Sequence, residues 1–266
     1  MTSTSTTGRG RGRARRHPPE LWRVPVLRTT MVTPRMARIT VGGTALATFP
    51  GGGGDQHVVL YFYDRDVVLP DPLTLASART MLSQVRPAMR SYTVRRHDPV
   101  ACELDFDFVL HGDHGVASAW ARVAQPGDDV ILVGPSPAYT LDEDVPRHLL
   151  VGDETALPAI SALLGSISAT AVIEVADAAE EQPLPDGVDV RWVHRDGRPP
   201  GTPDLLLAGV RDVGPDGDVA VWAAGERTVM HALRAHLLDD RKLDRRRVRT
   251  TMYWRHGQAG TDAAGV

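Results

Sequence analysis

The stretch that decides the fold of this chain is Leu149-Leu150-Val151-Gly152-Asp153-Glu154-Thr155-Ala156-Leu157-Pro158-Ala159-Ile160. Its apolar run up to Val151 predicts a buried strand, and Pro158 is typical of the first turn of a helix. Gly152 to Thr155 are therefore predicted to form a strand-to-helix turn, where backbone amides can bind a nucleotide diphosphate. The turn has neither the Gly-x-Gly-x-x-Gly pattern of the common dinucleotide fold nor the Gly-x-x-x-x-Gly-Lys loop of phosphate-hydrolysing enzymes.

Around and beyond this turn, compact apolar runs alternate with helical patterns. Residues 171–175, 188–193 and 219–223 read as strands, and residues 156–167 and 226–238 read as helices. Strands that alternate with helices predict a parallel sheet with crossover connections. We assign residues 148–258 to this α/β domain.

Upstream of the turn, short strands are broken by glycine-rich turns. Residues 22–28, 36–41 and 57–63 are rich in β-branched and aromatic side chains, and Gly42-Gly43 and Gly51–Gly54 separate them. Many short strands at this spacing predict a closed or nearly closed β-barrel, which we assign to residues 21–141. The boundary between the two domains is expected in the acidic, Pro-containing segment at residues 140–147.

Composition limits the partners that the chain allows. The net charge is −3, and without the five arginines of residues 1–16 the rest of the chain is near −8, which disfavours nucleic acid as a partner. We expect residues 1–20 to be a disordered basic arm and residues 259–266 a flexible tail. No apolar run is long enough for a membrane span, so we expect no membrane insertion and a cytoplasmic location.

The single cysteine, Cys102, restricts the redox chemistry that is open to the chain. One cysteine excludes an intrachain disulfide, a Cys-ligated iron–sulfur cluster and a Cys-rich zinc site. Any redox function would therefore depend on a bound organic cofactor.

One predicted barrel strand has the sequence Arg90-Ser91-Tyr92-Thr93. Residues two apart share a strand face, so Arg90 and Tyr92 present a guanidinium and an aromatic ring side by side. The guanidinium can pair with a phosphate, the ring can lie against a flat ring system, and Thr93 adds a hydroxyl and an amide. The combination fits a flavin dinucleotide, although the motif in isolation is more typical of an ordinary solvated strand.

A loop that enters a helix follows at residues 115–120. Its small side chains would let a diphosphate approach the amides of the helix N-terminus, where the helix dipole favours negative charge. His111 precedes the loop and is a further candidate contact. Asp105 and Asp107 share one face of the strand before it, which we interpret as a half-solvated face or a scaffold rather than an acid–base pair.

Six stretches in fixed order resemble the siderophore-interacting protein family, flavin-dependent ferric-siderophore reductases related to the ferredoxin–nicotinamide nucleotide reductases. They are residues 90–93, 105–120, 127–128, 152–160, 222–226 and 253–257, of which 152–160 is nearly diagnostic. The resemblance implies a six-stranded antiparallel barrel that binds FAD, followed by a smaller domain that binds NADH or NADPH. The sequence departs from the family pattern at residues 134–139, where relatives commonly have Gly-Pro, a basic residue and Gly.

By matching position, the resemblance implies the residues that bind the cofactors. Arg90 would contact the FAD phosphate, Tyr92 would stack on the flavin ring, and Thr93 would lie near its reactive nitrogen. The other expected FAD contacts are Ser91, Asp107, His111, Val116, Ala117 and Ser118. The nicotinamide nucleotide would meet Thr155, Ala156, Gly225 and Glu226, and Trp254 and Arg255 would close the cleft near the flavin.

The implied reaction is hydride transfer from the nicotinamide to the flavin, followed by two single-electron transfers to siderophore-bound ferric ions. Fe(II) binds oxygen-donor chelators less tightly than Fe(III), so reduction releases the iron, and we expect neither a protein general base nor a protein metal ligand. Ferric siderophores are often anionic, so a cluster of basic side chains beside the flavin would attract them. Our candidates for this cluster are Arg245, Arg246 and Arg255, although such a run is also typical of a solvated loop.

The residues leave the electron donor and the acceptor open. Asp177 would bind a ribose and repel a 2′-phosphate, which favours NADH, whereas Arg195 and Arg198 would favour NADPH. From these three side chains we expect NADH to be the donor, and a ferredoxin is a third possible donor. The alternatives to a siderophore reductase are a flavin oxidoreductase with another acceptor and a ferric-siderophore-binding protein without turnover.

Overall fold

The computed structural model describes residues 18–51, 53–111, 115–136, 139, 144–164, 169–185 and 188–258. The predicted basic arm up to residue 17, the predicted tail and residues 140–143 of the predicted linker lie outside these ranges. Within them, no helix has both the length and the apolar character needed to cross a bilayer.

The first half of the chain forms a seven-stranded antiparallel sheet in the order β4-β3-β7-β1-β2-β6-β5. The strands are β1 (Glu20–Thr33), β2 (Met36–Gly42), β3 (His57–Phe62), β4 (Ala88–Thr93), β5 (Arg96–Asp98), β6 (Glu103–Val109) and β7 (Asp129–Gly134). Helix α1 (Leu75–Met81) follows β3, and α2 (Val116–Val123) follows β6. Alternating apolar residues of these strands meet in one core, which includes Ile39, Leu60, Phe106 and Leu132.

The sheet closes into a barrel because one stretch of chain pairs with both of its edges. Val94 N donates to Gln56 O beside β3 at 2.8 Å, and Arg95 N donates to Asp105 O of β6 at 2.9 Å. Residues 88–98 therefore change partner in mid-course and count as two strands, β4 and β5. This change gives seven strands where the resemblance implied six, and no alternation pattern in the sequence reports it.

The second half contains a parallel sheet in the order β10-β9-β8-β11-β12, which confirms the predicted α/β architecture. Its strands are β8 (Arg147–Asp153), β9 (Thr170–Val175), β10 (Asp189–His194), β11 (Val219–Glu226) and β12 (Val248–Trp254). Helix α3 (Leu157–Leu164) covers one face, and α4 (Pro203–Val213) and α5 (Arg227–Ala235) cover the other. A π-helical turn, His236–Asp240, continues α5.

The strand order reverses between β8 and β11, so a crevice opens at their carboxyl ends, where ligands bind in open α/β sheets. Gly152, near the end of β8, allows this strand to approach α3 and β11 closely. A Cβ there would lie 2.4 Å from Ala156 Cβ and 2.8 Å from Ala224 O. The glycine that opens the diagnostic stretch is thus required by the packing of β8 against α3 and β11.

Candidate cofactor and substrate site

Strand β4 places Arg90 and Tyr92 on the face that packs against the barrel core. The Tyr92 and Phe108 ring centroids are 4.2 Å apart, and burial raises the pKa of the Tyr92 phenol above its ordinary value. Arg90 is half-buried, and its Nη1 donates to the Met89 carbonyl at 2.8 Å. No carboxylate in the described ranges forms an ion pair with Arg90, so its charge is available to a phosphate beside an ordered aromatic ring.

The two remaining residues of this motif differ in exposure. Thr93 is buried at the end of β4, whereas Ser91 is exposed on the strand face opposite Arg90 and Tyr92. The structure therefore brings Arg90 and Tyr92 to one face of β4 and buries Thr93 at the end of the strand. An FAD contact by Ser91 stays a prediction that would have to use the backbone.

The N-terminus of α2 lacks a capping side chain, because the preceding residue is Gly115. A Cβ on Gly115 would lie 2.9 Å from His111 Cε1, so His111 covers this turn closely. Ser118 is buried, and its hydroxyl accepts from the His111 amide at 3.2 Å. The exposed Val116 and the buried Ala117 begin the helix with amides that a diphosphate would satisfy. The residues present at α2 and β4 thus fit FAD.

Asp107 is committed to ion pairs within the barrel. Its carboxylate lies 2.6 and 2.8 Å from Arg38 and 3.8 Å from Arg95. Asp105, on the same strand face, accepts from Arg96 at 2.7 Å. Both carboxylates are buried because arginines of neighbouring strands cover them, which corrects the expected half-solvated face and agrees with the scaffold alternative. A cofactor contact by Asp107 stays a prediction that these pairs disfavour.

The turn after β8 is organised around the buried Asp153 carboxylate. Its Oδ1 accepts from the amide and the hydroxyl of Thr155, at 2.9 and 2.5 Å. Its Oδ2 accepts from Trp254 Nε1 at 2.7 Å and from Glu226 N at 3.2 Å. Burial, and then the negative charge of Glu154, raise the pKa of Asp153 to about 6. Asp153 thus brings together Thr155 and Glu226, two predicted nucleotide contacts, and Trp254, which was predicted to close the cleft near the flavin.

Gly225, Glu226 and Ala156 shape this turn without offering free side chains. Gly225 has φ +153°, and a Cβ there would lie 2.8 Å from Asp153 Oδ2, so only glycine fits. Glu226 is buried and caps α5, accepting from the amides of Thr228 and Val229. Ala156 is buried beneath the turn. All three lie at the predicted nucleotide site, where the backbone rather than the side chains would face a ligand.

Two carboxylates share one guanidinium beside this turn. Arg195 forms two hydrogen bonds with Glu154, at 2.6 and 2.7 Å, and a third with Glu174 at 3.3 Å. Burial raises the pKa of Glu174 to about 7, and the Arg195 charge opposes this shift. Because Arg195 is buried and paired, it is not available to a 2′-phosphate, which corrects one of the two predicted signals for NADPH.

A cleft of about 530 Å³ lies between the two domains next to this cluster. Its size is sufficient for a nucleotide. The barrel contributes Arg35, His111 and Arg122, and the α/β domain contributes Glu154, Asp177, Arg195 and Arg198. Asp177 accepts from Ala179 N and lies 3.9 Å from Arg35, whereas Arg122 and Arg198 have no ion-pair partner in the described part of the chain.

The structure separates the arginines predicted to bind the substrate. Arg245 and Arg246 lie in a 3₁₀ turn before β12, and Arg255 follows the last residue of the same strand. The seven residues of β12 span about 23 Å. Only Arg255 therefore lies at the carboxyl edge that carries the nucleotide turn. The expected single basic cluster is corrected because its members flank opposite ends of one strand.

Sequence reasoning gave no role to the carboxylates of Asp153 and Glu154, although both stand in the diagnostic stretch. The available signal was two acids directly after a buried strand, at an edge where ligands bind. It also passed over Asp55, which is buried in the loop before β3. Nothing in the local sequence distinguishes this aspartate from a solvated turn residue.

The comparisons with known proteins agree with this geometry. Residues 25–139 match a family model described as "Siderophore-interacting FAD-binding domain", and residues 145–257 match one described as "Siderophore-interacting protein". An uncharacterized protein of Mycobacterium tuberculosis is 39% identical, over 88% of this chain and 89% of that protein. An NADPH-dependent ferric-chelate reductase of Escherichia coli is 33% identical, over 86% of this chain and 91% of that protein.

Solved structures show the same likeness. A siderophore utilization protein from T. fusca is 37% identical and superposes with a TM-score of 0.79, over 93% of this chain and 97% of that one. Phthalate dioxygenase reductase, at 13% identity and a TM-score of 0.63, covers 91% of this chain and 70% of that one and shares the fold alone.

Proposed function

Because the chain belongs to the siderophore-interacting protein family, we propose that it reduces ferric siderophores with electrons that pass from NADPH through FAD to the iron. The observation that carries the proposal is the cleft between the domains. Its walls include His111 beside the candidate diphosphate site and Glu154 in the nucleotide turn. The two cofactors would therefore reach one space from opposite sides.

On the barrel side, Arg90 and the first amides of α2 would hold the phosphates of FAD. The Tyr92 ring, held against Phe108, would orient the flavin, and Thr93 would lie at its edge. FAD accepts two electrons at once from a nicotinamide and releases them singly, which suits one-electron reduction of iron. The contribution of these residues is to bind and orient the group.

On the α/β side, Asp153 fixes the turn that would receive the nicotinamide nucleotide. Four donors hold its carboxylate, so Thr155 and Trp254 have defined positions before a ligand binds. Gly225 keeps the end of β11 free of a side chain that would clash with Asp153. The turn is thus arranged in advance for the nucleotide, which lowers the ordering cost of binding.

We assign NADPH rather than NADH as the donor. Asp177 was the residue expected to repel a 2′-phosphate, but Arg35 lies 3.9 Å from it and offsets its charge. Arg198 lines the same cleft without a described ion-pair partner and would attract that phosphate. The NADPH dependence in the name of the Escherichia coli relative points the same way.

The substrate would approach at the carboxyl edge of the parallel sheet, where the exposed Arg255 follows Trp254. Its charge would attract an anionic ferric chelate. Since the reaction draws on a nicotinamide nucleotide held in the cytoplasm, we place the protein in that compartment.

Visible spectroscopy under anaerobic conditions tests the proposed function. The purified protein is loaded with FAD, NADPH is added, and then a ferric siderophore together with a ferrous chelator. We expect NADPH to bleach the flavin bands, and the siderophore to restore them with formation of trapped Fe(II). Bleaching by a reduced ferredoxin but by neither nucleotide would contradict the donor. If no ferric siderophore restores the bands, the proposal that ferric siderophores are the electron acceptor is contradicted.

A further inference from the structure

A buried aspartate of the barrel receives its hydrogen bonds from the other domain. Asp55 Oδ1 accepts from the Tyr253 hydroxyl at 2.6 Å, and Oδ2 accepts from Trp222 Nε1 at 3.3 Å. Arg249 Nη2 lies 3.9 Å from Oδ2. Asp55 is only 7% exposed, whereas all three partners belong to β11 and β12 of the α/β domain. The carboxylate is therefore a contact between domains.

The loop before Asp55 approaches α3 so closely that it needs a glycine. A Cβ on Gly54 would lie 2.5 Å from Leu163 Cδ2 and 2.9 Å from Leu163 Cα. Asp55 itself has φ +60°, which aspartate and asparagine tolerate better than most residues. The glycine-rich segment at residues 51–54 thus lets the barrel loop approach the α/β domain closely enough for the Asp55 carboxylate to contact it.

On the barrel side, Asp55 is built into the strands of the candidate flavin site. The next residue, Gln56, accepts at its carbonyl from Val94 N at 2.8 Å, and His57 pairs with Thr93 across β3 and β4. The Thr93 hydroxyl also interacts with the Tyr253 phenol. Asp55 is therefore anchored to the barrel beside the end of β4.

On the α/β side, the contact adjoins the nucleotide turn. Tyr253, which donates to Asp55, is followed by Trp254, which donates to Asp153. One strand thus holds the barrel with one residue and the nucleotide turn with the next. Asp55 is connected in this way to both candidate cofactor sites.

Other polar contacts between the described parts of the two domains lie away from Asp55. Glu180 accepts from the Thr33 hydroxyl at 2.5 Å and from Arg35 N at 3.3 Å. It ties the end of β1 to the 3₁₀ turn after β9. The Glu180 contact alone would still allow the domains to rotate about it, and the Asp55 contact opposes this rotation.

We propose that Asp55 is a positioning residue whose carboxylate fixes the nicotinamide-nucleotide domain against the barrel, in the orientation that presents the nucleotide to the flavin. A buried carboxylate that accepts from directed donors defines their positions more narrowly than apolar packing does. The orienting role stands on the contacts alone, and its consequence for electron transfer rests on the proposed function.

The variant Asp55→Asn is the most informative substitution. Asparagine keeps the shape and tolerates the positive φ, but it removes the charge opposite Arg249 and turns one acceptor atom into a donor that faces either Trp222 or Tyr253. Asp98→Asn is the matched control, because Asp98, at the end of β5, is also a hydrogen-bonded carboxylate of the barrel, and its described partners are all within the barrel.

Distances between spin labels measure the orientation without any cofactor. In a Cys102→Ser background, labels at Ala76→Cys and Ala208→Cys, both exposed, report on α1 of the barrel domain and on α4. We expect Asp55→Asn to broaden the distance distribution about twofold and Asp98→Asn to leave it unchanged. A distribution for Asp55→Asn that coincides with that of the parent would overturn the proposal, whether or not the protein reduces siderophores.

Transient kinetics of the FAD-loaded protein test the consequence. We expect Asp55→Asn to slow flavin reduction by saturating NADPH about tenfold, with the FAD dissociation constant and the rate of reduction by dithionite unchanged. Tyr253→Phe should slow it less, and the double variant should be no slower than Asp55→Asn alone, since both remove one interaction. An unchanged NADPH rate in Asp55→Asn contradicts the role in electron transfer, whereas a parent protein that binds no FAD contradicts the proposed function instead.

Discussion

Trp254 Nε1 lies 2.7 Å from Asp153 Oδ2, so the end of β12 is hydrogen-bonded to the end of β8. The two residues are a hundred positions apart in sequence, and β11 lies between their strands. Asp153 also holds Thr155 and the Glu226 amide. One carboxylate therefore defines the floor of the proposed nucleotide site.

Replacing this carboxylate should weaken nucleotide binding. In Asp153→Asn, an amide NH₂ would face either Trp254 and the Glu226 amide or the donors of Thr155, which leaves buried donors unpaired at a cost of about 1–3 kcal/mol in stability. We expect the NADPH dissociation constant, measured by fluorescence titration, to rise about tenfold. Asp204→Asn, an exposed residue on α4, is the control. Equal affinity in both variants would show that Asp153 does not organise the site.

Glu174 should make the stability depend on pH. Folding raises its pKa from 4.5 to about 7, so the folded state binds this proton more tightly and the stability from this group is lost as pH rises through that range. Glu174→Gln copies the protonated form and keeps a partner for Arg195. We expect equal free energies of unfolding near pH 4.5 and a gain on the order of 2 kcal/mol for the variant at pH 8, from urea titrations. A variant that is less stable at pH 8 would contradict the direction of the shift.

Removing the ring of Tyr92 should release the flavin. Tyr92→Ala deletes the surface predicted to orient the isoalloxazine and leaves a gap beside Phe108. We expect the FAD dissociation constant to rise about 10- to 100-fold, measured by flavin fluorescence. Tyr63→Ala removes a partly buried aromatic ring that packs against a different apolar cluster, that of Tyr61 and Ile131, and should leave FAD affinity unchanged. Equal FAD content in the two variants would refute the placement of the flavin against Tyr92.

The choice of donor should depend on Arg198. Arg198→Ala is expected to raise the KM for NADPH about tenfold and to leave the KM for NADH within a factor of two, because only the 2′-phosphate would lose a partner. Arg211→Ala, on the exposed side of α4, controls for loss of net charge. A parallel rise in both KM values would assign Arg198 to a part of the nucleotide that the two donors share.

Substrate attraction should separate the arginines at the two ends of β12. Arg255→Ala is expected to raise the KM for an anionic ferric siderophore several-fold, and more so at low salt, where charges are screened less. Arg246→Ala should have no effect, since its turn precedes the strand at the opposite edge of the sheet. The reverse pattern would place the substrate at the amino edge.

Sequence patterns predicted correctly those features that depend on residues only a few positions apart. Alternation and glycine punctuation predicted the β-rich first half, and the spacing of apolar runs predicted the parallel sheet of the second. The small residues at the start of α2 and the pairing of Arg90 with Tyr92 on one strand face followed from the same periodicities. The strand count was wrong because Val94 and Arg95 divide one stretch between two partners, which depends on the closure of the barrel.

The charged side chains were harder to place, because their roles depend on partners that lie far away in the sequence. Arg195 looked free and is buried between Glu154 and Glu174. Asp107 looked half-solvated and is covered by Arg38. Arg246 and Arg255 looked like one cluster and flank opposite ends of a strand. Each case is decided by which element packs alongside, and hydrophobic periodicity carries no information about that.

The sequence by itself determined the two architectures, their order and the backbone turns suited to phosphates, because periodicity and small residues act over a few positions. Only the tertiary structure decided which charges remain available to a ligand and how the two halves face each other. Asp55 and Asp153 obtain their roles from donors on strands more than seventy residues away, since a buried carboxylate must find its hydrogen bonds wherever the fold supplies them.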